Sequence, residues 1–167
     1  VLACLLLGSF VGNYCYIPLS PGVGFVFGSI AVLSIVSGYG VGWGTLAACL
    51  AGSYTYVLWH HPYGLIVLAL EALFVGWLVH RSSANLILLD GLFWICIGLP
   101  LLWVCHASIM HLDSTAVRFV LLTYSVNGLL NASLASLLMQ HATLRRWIGQ
   151  TGTVATAPLR HTIFRPL

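Results

Sequence analysis

The residue in this sequence that is best placed to do chemistry is Glu71, one of only three acidic residues among 167. It lies in an apolar stretch that begins at Tyr63, so a helix there would carry the carboxyl group about 12 Å along its axis. An ionisable group at that depth usually faces a partner, a cavity or a ligand. Two interpretations follow: a carboxyl group with a function, or a protonated one that is hydrogen-bonded to a neighbouring Ser, Thr or Tyr.

Other polar side chains lie at a similar depth of their own apolar stretches. Asn127 and Asn131 are four residues apart and therefore share one face of a helix. The other members of this layer are Ser29, Tyr54, Thr55 and Tyr124. Together with Glu71 they predict a pocket that is open to the outside and lined by aromatic and polar groups. Hydrogen bonding between helices, which Ser, Thr and Asn often provide, is the alternative.

Histidine side chains offer a second kind of chemistry, because imidazole and carboxylate groups bind zinc and copper. The candidates come from two loops: His60, His61, His106, His111 and Asp113. They form no short ligand motif, so we predict no metal site. His80 and His141 lie at helix ends rather than at mid-depth, which argues against haem, and we predict no cofactor.

The composition shows which class of protein has to position these residues. Apolar residues make up 60% of the chain and charged residues only 5%, against roughly 25% in a soluble domain. A disordered chain would be polar and poor in aromatic residues, so the composition predicts a multi-span membrane protein. One membrane domain would use the whole length and leave no room for a soluble catalytic domain. No hydrolase, zinc-protease or phosphate-loop motif is present, and we predict that the chain is not an enzyme.

The apolar stretches predict an all-α membrane protein, a bundle of six transmembrane helices. A spanning helix needs about 20 mostly apolar residues. The six stretches cover residues 2–17, 23–41, 43–59, 63–79, 86–105 and 116–139. Gly8 with Gly12, and Gly24 with Gly28, have the GxxxG spacing that lets helices approach closely, within the bundle or against another subunit such as a second copy. Residues 1–141 would form the membrane domain and residues 142–167 a cytoplasmic juxtamembrane connector.

The arginines predict the orientation of the bundle. With six spans, five of the six arginines fall on the side of both termini: Arg81, Arg145, Arg146, Arg160 and Arg165. The positive-inside rule therefore places both termini in the cytoplasm. Four of these arginines lie in the C-terminal tail, which favours contact with anionic lipids of the bilayer. We predict no binding of nucleic acid, because the chain has no basic face that could follow a phosphate backbone.

The remaining charged residues are expected near the membrane surfaces. Asp90 begins the fifth stretch and is close to Arg81 in sequence, which predicts a salt link or a helix-start charge at the cytoplasmic interface. Arg118, at the outer mouth of the sixth stretch, can extend outward to water or neutralise an anionic ligand or Glu71.

Three segments carry a resemblance to a known family. They are GVGFVFGSIAVL at 22–33, the segment 42–78 that includes WHHPYGLIVLALEAL, and VNGLLNASLASLL at 126–138. These segments resemble the multi-span N-terminal sensory domains of bacterial diguanylate cyclases, phosphodiesterases and histidine kinases. Those domains are in turn similar to the substrate-binding components of energy-coupling-factor vitamin transporters. The resemblance covers about residues 20–140.

The resemblance implies a function and a set of site residues. It implies six helices in the bacterial inner membrane around a pocket for a small molecule from the outer side, followed by a cytoplasmic signalling domain in the same protein. The alternative is a substrate-binding subunit of an energy-coupling-factor transporter. The ligand-binding residues would be Tyr54, Trp59, His61, Glu71, Tyr124 and Asn127.

Overall fold

Six α-helices and one short β-hairpin form the part of the chain that this computed structural model describes, residues 1–20, 22–82 and 84–141. The helices are α1 (Leu2–Tyr14), α2 (Gly28–Tyr39), α3 (Val41–Trp59), α4 (Tyr63–Val79), α5 (Leu86–Ile109) and α6 (Ser114–Gln140). The hairpin strands are β1 (Ile17–Ser20) and β2 (Val23–Phe25). The predicted connector at 142–167 lies outside the described residues.

Each of the six apolar stretches contains a helix, so the prediction of a six-helix, mainly α-helical fold is confirmed. The α2–α3 turn is as short as the sequence indicated. Gly40, with φ of 93°, is its only residue between the two helices. Glycine occupies such a left-handed conformation without the steric penalty of a Cβ atom. At the other end of α3, His60 ends the helix with φ of 57°.

The hairpin corrects the prediction of an entirely α-helical chain and the bounds of its second helix. Residues 23–25 form a strand that pairs antiparallel with β1, and α2 begins only at Gly28. Gly22 adopts φ of 75° in the connection between the strands, a conformation that favours a turn over a continuing helix. Gly24 lies in β2 against the ring of Tyr16, so its GxxxG spacing with Gly28 is not a helix-packing motif.

Small and polar residues join the first three helices. A Cβ atom on Gly12 would lie 2.8 Å from the backbone nitrogen of Gly28, so α1 and α2 cross in direct backbone contact. Asn13 then links both to α3. Its Oδ1 accepts the Gly28 N–H at 2.8 Å, and its Nδ2 donates to the Ala51 carbonyl at 2.8 Å. Because α2 has no capping side chain of its own, Asn13 satisfies one of the open N–H groups of its first turn.

Helix α5 is continuous but contains two π-helical segments, Trp94–Gly98 and Val104–Ile109. Pro100 lies in the α-helical turn between them and has no N–H to donate to the preceding turn. Extra residues in a helical turn change which side chains face the core, and such segments are frequent at functional sites. In α5 they carry Trp94 and His106, both of which are buried.

The molecule buries polar side chains and exposes large apolar ones. On α5, Asp90 is fully buried whereas Ile95 is 70% exposed. Exposed apolar surface of this extent marks contact with a membrane or with another protein. Among the described residues, α5 and α6 are the two helices whose length and hydropathy suffice to cross a membrane.

Candidate ligand-binding site

A cavity lies among α2, α3, α4, α5 and α6 at the depth of Glu71. Its volume is about 30 Å³, which is room for about two water-sized groups at 10–15 Å³ each. Polar and aromatic side chains from all five helices form much of its wall: Ser29, Thr55, Trp59, Glu71, Trp94, Tyr124, Asn127 and Asn131. We call this space the central cavity.

Four of the six predicted site residues meet here, since Trp59, Glu71, Tyr124 and Asn127 all line the central cavity. The rings of Trp59 and Tyr124 pack with their centroids 5.6 Å apart, which brings the end of α3 against α6. The structure therefore brings together residues that lie up to 68 positions apart in the sequence. Their role in binding a ligand stays a prediction.

Tyr54 lies elsewhere, on another face of α3. Its ring packs against Phe10 and Tyr14 of α1, with both centroid distances at 5.5 Å. The neighbouring residue Thr55 lines the cavity instead and donates its hydroxyl to the Gly52 carbonyl at 2.7 Å.

Two buried carboxyl groups lie side by side, and one of them, that of Glu71, lines the central cavity. The hydroxyl of Ser29 donates to Oε1 of Glu71 at 2.9 Å, and the carboxyl group of Asp90 is a direct neighbour of Glu71. The hydrogen bond from Ser29 agrees with the structural interpretation of Glu71, while its place in the cavity wall agrees with the functional one. Both oxygens of Asp90 are buried, and the groups close enough to interact with them are the carboxyl group of Glu71 and the indole N–H of Trp94.

The position of Asp90 overturns the prediction of an interfacial salt link. Asp90 is buried one turn into α5, whereas the guanidinium group of Arg81 lies 4.5 Å from the centre of the exposed Trp77 ring. Asp90 is buried because it lies on the inward face of α5. Trp94, four residues further along the helix, is buried on the same face. Arg118 is exposed and lines a separate surface pocket, where it does not pair with Glu71.

Asn127 and Asn131 share one face of α6, as their spacing predicts. Both side-chain amides donate to the carbonyl oxygen of Val26, at 3.0 and 2.9 Å. Since these bonds fix the Nδ2 atoms, the orientation of each amide is also fixed. Both Oδ1 atoms are buried and have no donor within the described part of the protein. The predicted hydrogen bonding between helices is therefore present, and it leaves two acceptors unpaired beside the cavity.

Trp94 is a cavity residue that the sequence analysis missed. Its indole ring lies directly against Gly128, where a Cβ atom would overlap the indole nitrogen. The indole N–H is buried, and the carboxyl group of Asp90 is the polar group beside it. The signal in the sequence was the spacing of Asp90 and Trp94 by one helical turn, which places the aromatic ring on the face of the buried acid.

A second space, which we call the histidine pocket, adjoins the central cavity. It has a volume of about 180 Å³ and includes Gly22, Val23, Trp59, His61, His106 and Met110. Trp59 lines both spaces and stacks on His61 with ring centroids 6.2 Å apart. The sixth predicted site residue, His61, therefore belongs to the adjoining pocket.

His61 and His106 face each other across the histidine pocket with ring centroids 5.8 Å apart. Burial lowers the pKa of His61 below its ordinary value, and the nearby imidazole of His106 lowers it further. Both effects favour the neutral imidazole. Within the described ranges, no group of three or more His, Cys, Asp or Glu side chains could hold a metal ion.

No family model matches the sequence, and searches of curated proteins and of solved structures find no significant match. The resemblance to bacterial sensory domains therefore carries no support from these comparisons. What can be said of function rests on the geometry of the two adjoining spaces.

Proposed function

We propose that this chain is a membrane-embedded domain that binds a small molecule and passes its occupancy to a cytoplasmic signalling domain. The observation that carries the proposal is the central cavity, where polar side chains from five helices converge and several polar atoms are left without a partner. Buried polar groups in proteins are otherwise nearly always paired. An apolar pocket with a few convergent polar groups is the usual form of a small-molecule site.

The distribution of polarity supports a place in the membrane. Apolar side chains on the outside and polar ones inside suit a lipid environment, and α5 and α6 have the length for a span. In the proposed arrangement all six helices form a multi-pass bundle in the bacterial inner membrane. Both termini then lie in the cytoplasm and the histidine pocket opens to the outer side.

The bonds from α6 to Val26 supply a route for the signal. Val26 lies between the hairpin and α2, it lines the cavity, and its carbonyl group is bound by Asn127 and Asn131. An occupant that moves Val26 would change the position of α6, the helix that leads to the tail. Such a ligand acts as a signal only if it binds one helix arrangement more tightly than the other. This function assigns no catalytic step to the chain.

A substrate-binding subunit of a transporter is the second candidate. An open apolar groove between α1, α2 and the end of α6, lined by Gly8 and Ala31, favours it, since small residues allow another helix to dock. The gene beyond Leu167 discriminates the two. A sensor should continue into a kinase, cyclase or phosphodiesterase domain, whereas a transporter subunit should end soon after the tail.

Thermal stability of the purified protein against a panel of small metabolites tests the binding proposal. A ligand of the central cavity should raise the melting temperature of the wild type but not of Glu71→Ala or Asn127→Ala. Tyr54→Phe is the matched control and should keep the shift, because Tyr54 packs on α1. A shift that survives in both cavity variants would place the ligand elsewhere. The absence of any shift across the panel would count against a binding domain.

A further inference from the structure

The central cavity carries one acid, Glu71, and two unpaired acceptors, the Oδ1 atoms of Asn127 and Asn131, together with two unpaired donors, the indole N–H groups of Trp59 and Trp94. Glu71 and Asp90 are at most 2% exposed, and their carboxyl groups are neighbours. The Oδ1 atoms of Asn127 and Asn131 add two buried acceptors whose amides cannot rotate without losing the bonds to Val26. A buried acceptor without a donor is destabilising, so the part of the wall that carries Glu71, Asn127 and Asn131 favours an occupant that donates hydrogen bonds.

No basic side chain in the described part of the chain supplies the missing positive charge. Arg81 and Arg118 are exposed, and neither forms an ion pair with the two acids. An occupant with a positive charge would stabilise the ionised form of either carboxyl group.

The size and the walls of the two spaces indicate an organic cation. The central cavity, at about 30 Å³, accepts a group the size of an ammonium ion, and the rings of Trp59, Trp94 and Tyr124 border it. Cations bind favourably to aromatic faces. On the other side of Trp59, the histidine pocket of about 180 Å³ offers Val23 and Met110 to an apolar body.

We propose that the ligand is a protonated primary amine whose ammonium group lies against Glu71, Asn127 and Asn131. Its apolar body extends past Trp59 into the histidine pocket. This inference rests on the proposed function, since it names the chemical class of the ligand that the sensing domain would bind.

The test uses three probes of similar shape and different charge: phenethylamine, 2-phenylethanol and 3-phenylpropionate. Binding to the purified protein is measured by calorimetry at constant pH and ionic strength. The amine should bind at least tenfold more tightly than the alcohol, and the acid should not bind. Glu71→Gln should weaken binding of the amine at least tenfold and leave binding of the alcohol unchanged. Asp113→Asn is the matched control, because it removes an exposed carboxylate and keeps a residue that can cap α6.

Each outcome of this experiment decides between the proposals. Equal binding of amine and alcohol, or tighter binding of the acid, would overturn the amine inference and leave a ligand-binding domain in place. A response to sodium or potassium chloride alone that is lost in Glu71→Gln would replace the amine with a metal cation. No response to phenethylamine or to shorter alkylamines would also overturn the inference. The comparison of the three probes on the wild-type protein tests the amine inference even if Glu71→Gln does not fold.

Discussion

At the scale of single residues, Gly128 shows how closely the cavity wall is packed. The indole of Trp94 occupies the space that a side chain at this position would need. Gly128→Ala should therefore displace Trp94 and destabilise the protein by about 1–3 kcal/mol, as overpacked sites do. Gly42→Ala is the matched control, since a Cβ there meets nothing within 4 Å and alanine favours a helix. Thermal unfolding should show a lower melting temperature for the first variant and an equal or higher one for the second.

We expect His61 to make the stability of the protein depend on pH. Its pKa in the folded state is below the ordinary value of 6.5, so the unfolded chain takes up a proton at a higher pH than the folded one. The free energy of unfolding is therefore highest above about pH 6.5 and decreases as the pH falls through the lowered pKa of His61. Melting temperatures measured from pH 8 to pH 5 should decrease, and His61→Asn should reduce the decrease.

His60→Asn is the control for this pH series. It removes the adjacent, exposed histidine, and asparagine tolerates the left-handed conformation that His60 adopts. A pH dependence that is the same in wild type and His61→Asn would exclude His61 as its source.

At the scale of helices, Asn13 holds three of them in place. Replacing it with alanine leaves the buried Gly28 N–H unpaired and removes a second hydrogen bond to the Ala51 carbonyl group, which keeps its bond within α3. The unpaired N–H costs about 1–3 kcal/mol, so Asn13→Ala should lower the melting temperature markedly. Asn85→Ala removes only an exposed cap of α5 and should cost about 1 kcal/mol. Equal effects of the two variants would contradict the bridging role of Asn13.

The positions of the helices could be predicted, because each helix corresponds to a long apolar stretch of the sequence. The rotation of each helix about its own axis could not be predicted in this way. Tyr54 and Thr55 have the same depth along α3, yet successive residues are turned by about 100°. Thr55 therefore lines the cavity while Tyr54 packs on α1. Asp90 was misplaced for the same reason. The face that a residue presents depends on the neighbouring helices, and the π-helical segments of α5 change it again.

The hairpin escaped prediction for a different reason. Residues 17–25 contain two prolines and two glycines, which mark a break, but the hydropathy pattern placed residues 23–25 at the start of the second helix. The turn at Gly22 and the contact of Gly24 with Tyr16 depend on tertiary packing. The position of each site residue along its apolar stretch predicted only that these residues lie at a similar depth. The hydrogen bonds from Asn127 and Asn131 to Val26 could be identified only from the folded structure.

At the scale of the whole molecule, the orientation in the membrane can be measured with cysteines. In the proposed arrangement, Cys15 at the end of α1 faces the outside, and Ser82 after α4 faces the cytoplasm. A membrane-impermeant maleimide should label Cys15 in intact cells when the other cysteines are replaced. It should label Ser82→Cys, in a cysteine-free chain, only after permeabilisation. Both positions are exposed, so accessibility within the protein does not limit labelling. The reverse pattern would invert the proposed topology.

The shared wall at Trp59 has a kinetic consequence. A molecule that moves between the histidine pocket and the central cavity has to pass this indole, which is held by rings on three sides: Tyr16, His61 and Tyr124. The rate of exchange would then follow the motion of Trp59, while affinity follows the polar groups below it. Trp59→Phe keeps an aromatic face and should accelerate association and dissociation together, so the equilibrium constant should change less than either rate. A receptor of this kind would have a response time and a sensitivity that can vary independently.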